Sequence, residues 1–195
     1  MKLKKGITGL LKILTFTTVS ITSISLVKNF AEKGTESAYV EPKPVIMTYH
    51  MPRHMYDVPD GDTSFKSYMD YRCITNTDSA QYRLQQQCYT DTDGLRRTES
   101  GDYTIALGSY YASRIGDRYR IELDGGRVFY ATVGDFKADR HTDALNQYTE
   151  AGNGSKNVVE FIVDTDDLSP YTREMGDISY SDFYGNIESI ERIDE

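Results

Sequence analysis

The sequence predicts an all-β domain, a small barrel, carried behind an apolar N-terminal segment and an extended stretch. Three runs lead there. RYRIELDGGRVFYATV (Arg118 to Val133) holds two β-rich runs joined by Asp124-Gly125-Gly126, a combination that favours φ > 0 at a hairpin turn. NVVEFIVD (Asn157 to Asp164) is too apolar for a strand with one wet face, so it is expected to cross the core. NIESIERI (Asn186 to Ile193) alternates apolar and polar residues and suits a closing strand.

At 195 residues the chain has room for one common-sized core plus a leading segment. Lys2, Lys4 and Lys5 precede ITGLLKILTFTTVSITSISLV (Ile7 to Val27), which contains no acidic residue. A basic start followed by an apolar run is the pattern of an export signal or a membrane anchor. The run approaches the ~20 residues that span a bilayer, although Lys12 and many Ser and Thr residues dilute it. Residues 1–30 are therefore expected to form a hydrophobic helix, either cleaved or retained. The positive charge before it places the N-terminus in the cytoplasm and the remainder outside, secreted or tethered to the membrane.

Six of the 22 basic residues but only two of the 30 acidic ones lie in the first 38, which leaves the remainder at a net charge of −12. Such a surface repels phosphate backbones, and no basic stripe interleaved with aromatics appears, so nucleic acid is not an expected partner. Cys73 and Cys88 are the only cysteines. In an exported chain they are either one disulfide or two separate thiols, and without a partnered His pair they make no zinc site.

Residues 31–64 read as an extended tether, since Tyr39 to Thr63 holds four of the five prolines and no sustained period. His50 and His54 are spaced i, i+4, but Pro52 between them opposes a metal-binding helix. The domain is expected over 65–195. Within it, Asn76 to Ser79 reads as a turn between two short extended or helical pieces. DTDG at Asp91 to Gly94 lacks the bidentate acid that would complete a calcium loop and reads as a solvated turn. No cofactor and no metal are expected.

The long polar segment Gly134 to Lys156 carries Asp135, Asp139 and Asp143 at intervals of four. Asp135 directly follows an apolar strand and so has a fixed position, whereas the later two fall in loop. A fixed, partly desolvated carboxyl is what general acid catalysis requires; the alternative is three ordinary solvated acids. Tyr103, Tyr110 and Tyr111 could stack on sugar rings or simply fill a β-rich core.

The succession IGDRYRIELDGGRVFYATVGDFKAD followed by NVVEFIVD resembles the double-psi β-barrel of rare lipoprotein A, a cell-wall lytic transglycosylase, and more loosely the three-aspartate cell-wall domains and expansins. Ile115-Gly116-Asp117, Gly125-Gly126, Gly134-Asp135 and Val163-Asp164 stand at the family's motif positions, over roughly Ala106 to Ser169. The SYMDYR and ITNT segments are similar to those of exported proteins of Gram-positive bacteria. The resemblance implies a six-stranded double-psi barrel acting on peptidoglycan glycan strands, with Asp135 as acid/base and Tyr110 and Asp139 near substrate. The sequence departs from the family in three places: Tyr110 replaces a histidine, Gly-Pro is missing after Asp135, and Glu99 alone stands where an upstream glutamate is expected. A non-catalytic module binding wall polymer or a protein partner is the other reading.

Overall fold

A computed structural model describes residues 54–180 and 182–193. The apolar segment and most of the tether read from the sequence lie outside them. Strands dominate: β1 (His54–Tyr56), β2 (Tyr68–Asp70), β3 (Tyr89–Thr90), β4 (Arg96–Arg97), β5 (Tyr103–Leu107), β6 (Arg118–Leu123), β7 (Val128–Phe136), β8 (Thr149–Glu150), β9 (Lys156–Asn157), β10 (Glu160–Val163) and β11 (Ile187–Ile193). Two short helices accompany them, α1 (Ala80–Gln87) and α2 (Pro170–Met175).

Nine strands form one mixed sheet in the order β1-β11-β6-β7-β5-β10-β2, with β4 pairing β5 and β3 pairing β4, while β8 and β9 make a separate ribbon. β5 runs parallel to β7 and β10 parallel to β2; the other pairs in the main path are antiparallel. Among the described residues the path ends at β1 and β2 and does not close. The six-stranded closed barrel is thus replaced by a larger, open, mixed sheet, and β11 does not close anything, because β1 pairs along its outer side.

The expected hairpin is present. β6 and β7 pair from Arg118↔Thr132 to Glu122↔Val128, and Gly126 takes φ +81° in the connecting turn. β10 lies between β5 and β2, with Phe161, Ile162 and Val163 fully buried. Alternation divides its side chains and those of β5 between two faces. Tyr103, Ile105, Leu107, Phe161 and Val163 join the main core with Ala131, Val133, Tyr119 and Ile121. At its centre Tyr103, Phe129, Phe161 and Phe183 meet with ring centroids 4.5–5.9 Å apart. Each such ring buried contributes roughly 1.5–3 kcal/mol. Thr104, Ala106 and Ile162 take the opposite face, which α1 covers: Gln85 of the helix donates to Thr104 Oγ1 at 3.3 Å.

Helix α1 starts where Ser79 accepts from the Tyr82 amide, so the predicted Asn76–Ser79 turn is a helix cap. The stretch from 54 to 64, a short strand followed by a bend at Asp60–Gly61, is laid on the domain. β1 pairs β11, and Thr63 exchanges hydrogen bonds with Asn186 and Ile187. Lys66, fully buried, donates from Nζ to Ser64 O and Gly185 O at 2.9 and 2.7 Å and so fastens this stretch to the C-terminal segment. The DTDG segment is a turn in which Asp91 accepts from the amides of Asp93 and Leu95. Cys73, exposed, and Cys88, half-buried, carry separate free thiols.

Candidate acidic site at the end of β7

The position of Asp135 follows from one extra residue. Along the parallel β5–β7 pair, Val133 stands opposite Ile105, yet Asp135 stands opposite Ala106. Gly134 is therefore a bulge. Without it Asp135 would share the face of Val133 and point into the apolar core; with it the carboxyl turns to the side of Ala106 and α1. A side chain at the bulge would be crowded. A Cβ there would lie 2.6 Å from Ile162 Cδ1, 3.0 Å from Gln85 Nε2 and 3.3 Å from Thr104 Cβ.

Ala106 is the middle of a row across three strands, since it also pairs with Glu160 on β10. Asp135 and Glu160 thus flank one small, fully buried residue on the same sheet face, with Cα atoms about 10 Å apart from two strand spacings. Lys137, two residues after Asp135, has a buried side chain whose ammonium lies 3.6 Å from Glu160. Gln81, one turn before Gln85 on α1, acts to lower the Asp135 carboxyl against the effect of burial. Gln85 spans Thr104 and Arg96, accepting from Arg96 Nε at 3.2 Å. Arg96 also donates to Gln85 O, Cys88 O and Thr90 Oγ1, so the floor under the helix is fully hydrogen-bonded.

These surroundings separate the charges. Burial pushes the half-buried Asp135 carboxyl above the ordinary aspartate value; the Glu160 charge adds to this, and hydrogen bonds from the Phe136 amide and Gln81 oppose it. Burial likewise pushes the Lys137 ammonium down, and Glu160 pulls against that. A carboxyl that burial makes a weaker acid than usual, beside a lysine-paired carboxylate, is an arrangement that proton transfer to a leaving oxygen can use.

The other predicted residues gather elsewhere. Asp139 is exposed at the start of a short 3-10 turn (Asp139–His141) and accepts from Ser109 Oγ at 2.8 Å. Tyr110 is half-buried, edge-on to Tyr111 and Tyr56 at 5.0 and 6.0 Å, and belongs to the core margin. Asp143, expected to sit in flexible loop, is fixed: it accepts from the amides of Leu145, Gln147 and Tyr148. Those bonds outweigh its partial burial and hold its carboxyl below the usual range. Glu99 is exposed in the turn before β5. His54 lies in β1 against the Tyr56 ring. Among the described residues no group of three or more His, Cys, Asp and Glu is placed to hold a metal ion.

Sequence reading missed Glu160, Lys137 and Gln81. Glu160 left a signal, as the one charge inside an otherwise apolar run; Gln81 left none, because nothing local says which helix covers the strand end. No protein-family model matches the chain, and no match is found among curated proteins or solved structures.

Proposed function

We propose that this is a glycan-acting module of the cell surface, exported by its N-terminal segment, in which Asp135 protonates a glycosidic oxygen of a wall polymer. The observation that carries the reading is the half-buried Asp135 at the bulged end of β7, its carboxyl raised by burial and faced by Glu160 across Ala106. Peptidoglycan strands are the substrate class that the resemblance suggests. Two parallel strand pairs, β5/β7 and β10/β2, beside the β6/β7 hairpin support a double-psi ancestry for the sheet. In the reaction Asp135 gives its proton to the leaving oxygen; as carboxylate it then takes one from the sugar's own hydroxyl, closing an anhydro ring, or from water. Burial raises the Asp135 carboxyl, and the nearby Glu160, beside Lys137, adds to that rise.

One observation favours a binding module instead. Tyr110, at the family's histidine position, is packed against Tyr56 and Tyr111 and offers no imidazole to relay protons. Incubating the full-length chain with purified peptidoglycan and analysing products by mass spectrometry decides between them. Anhydro or reducing ends that disappear with Asp135→Asn support the acid. Saturable binding without cleavage supports the binding module.

A further inference from the structure

Helix α1 has a second wall. Between it and the segment from Tyr71 to Thr77 lies a groove of about 350 Å³, lined by Tyr71, Ile74, Thr77, Tyr82, Gln85 and Gln86. That is the small end of the range for ligand clefts, ~300–1,000 Å³. Two features make it a prepared surface. The Tyr71 ring is pinned by the Arg96 guanidinium, 4.4 Å from its centroid, and Arg96 is itself held by four hydrogen bonds. Rings and amides fixed in advance reduce the ordering cost of binding. Meanwhile Thr77 and Gln86 are exposed and keep hydroxyl and amide groups free for a polar, uncharged ligand.

Charge narrows the ligand. The cation at the rim, Arg72, is engaged by Asp70, Asp164 and Asp166 at 2.7, 3.3 and 2.6 Å, so one positive charge meets three negative ones. Phosphate or carboxylate ligands would meet net repulsion. Aromatic rings, amides and hydroxyls without a free cation are the chemistry that takes neutral sugars, rings stacking on the apolar sugar face and amides bonding its hydroxyl or acetamido groups.

We propose that this groove binds an uncharged N-acetylhexosamine unit of a glycan, so that a chain held there runs along α1 toward Asp135. The two places meet at the helix: Gln85 lines the groove, and its Nε2 lies 3.0 Å from where a Cβ on Gly134, the residue before Asp135, would stand. The inference rests on the glycan reading of Asp135 and extends it with a second contact.

The test titrates chitotetraose, a neutral oligosaccharide of N-acetylglucosamine, into the full-length chain by calorimetry. The parent is expected to bind saturably. Tyr82→Ala is expected to weaken binding tenfold or more and Gln86→Ala about threefold, while Tyr82→Phe keeps it. Tyr180→Ala, an exposed ring outside the groove, is expected to bind as the parent does. Gln86 is exposed, so its variant keeps the fold if circular dichroism shows Tyr82→Ala does not. No binding by the parent, parental affinity in folded Gln86→Ala and Tyr82→Ala, or loss in Tyr180→Ala overturns the groove. Peptidoglycan cleavage is measured in parallel. Cleavage without groove binding overturns the groove alone, whereas groove binding without cleavage overturns the acid and leaves the groove.

Discussion

Gly134→Ala tests the bulge that aims Asp135. The added Cβ would sit 2.6 Å from Ile162 Cδ1 and 3.0 Å from Gln85 Nε2, where carbon contacts are ordinarily about 3.5–4.0 Å. Ile162 is fully buried and Gln85 is tied to Thr104 and Arg96, so neither yields freely. Overpacking of this kind costs about 1–3 kcal/mol. For a domain of this size that lowers Tm by roughly 3–9 °C. Thermal unfolding followed by circular dichroism measures it. Ile162→Val removes the Cδ1 atom and by itself costs about 0.5–1.5 kcal/mol. In that background Gly134→Ala is expected to cost at least ~1 kcal/mol less than in the parent, because the two sites touch. Unchanged stability of Gly134→Ala, or simple additivity in the double variant, would refute the close approach and with it the account of how Asp135 is turned.

Two further outcomes are expected. Burial lowers the Lys66 ammonium to about 8, with Asp177, Asp124 and Asp62 pulling it back up. Since the folded value is depressed, the unfolded chain binds more protons between about pH 8 and 10.4, and stability rises with pH across that window. Chemical denaturation at several pH values should show this rise in the parent and not in Lys66→Met; the same slope in both would contradict it. Cys73 and Cys88 are separate thiols, so two thiols should titrate in denaturant without reductant. In the native state Cys73 should react first, because burial pushes the Cys88 thiol up; a count of zero would show a disulfide instead.

How much of this was legible in the sequence depends on the range of the interaction. The β6/β7 hairpin was readable because Asp124-Gly125-Gly126 carries its own turn chemistry. β10 was readable because Phe161 to Val163, buried on both faces, are all apolar. The strand-end position of Asp135 was readable too, but its direction was not. The bulge at Gly134 exists only in the register with β5, some thirty residues earlier, and a glycine before an aspartate looks like any loop entry. Glu160 escaped for the same reason, since its partner Lys137 is the residue just past β7. Asp143 was misread as mobile because three amides converging on one carboxylate are a property of the folded loop. The closed barrel failed on the strands around it: β1 lies outside β11, in a stretch whose prolines suggested a free tether.

The central claim is that burial raises the Asp135 carboxyl above the ordinary aspartate value, and that Glu160 adds to the rise. Carbon-13 NMR titration of the side-chain carboxyls of the full-length chain reads this directly. The account predicts that Asp135 titrates above the ordinary value near 3.9. It also predicts that Glu160→Gln lowers that midpoint, because the neighbouring negative charge is gone. An Asp135 that titrates with the surface aspartates, or one that Glu160→Gln leaves unmoved, would contradict it.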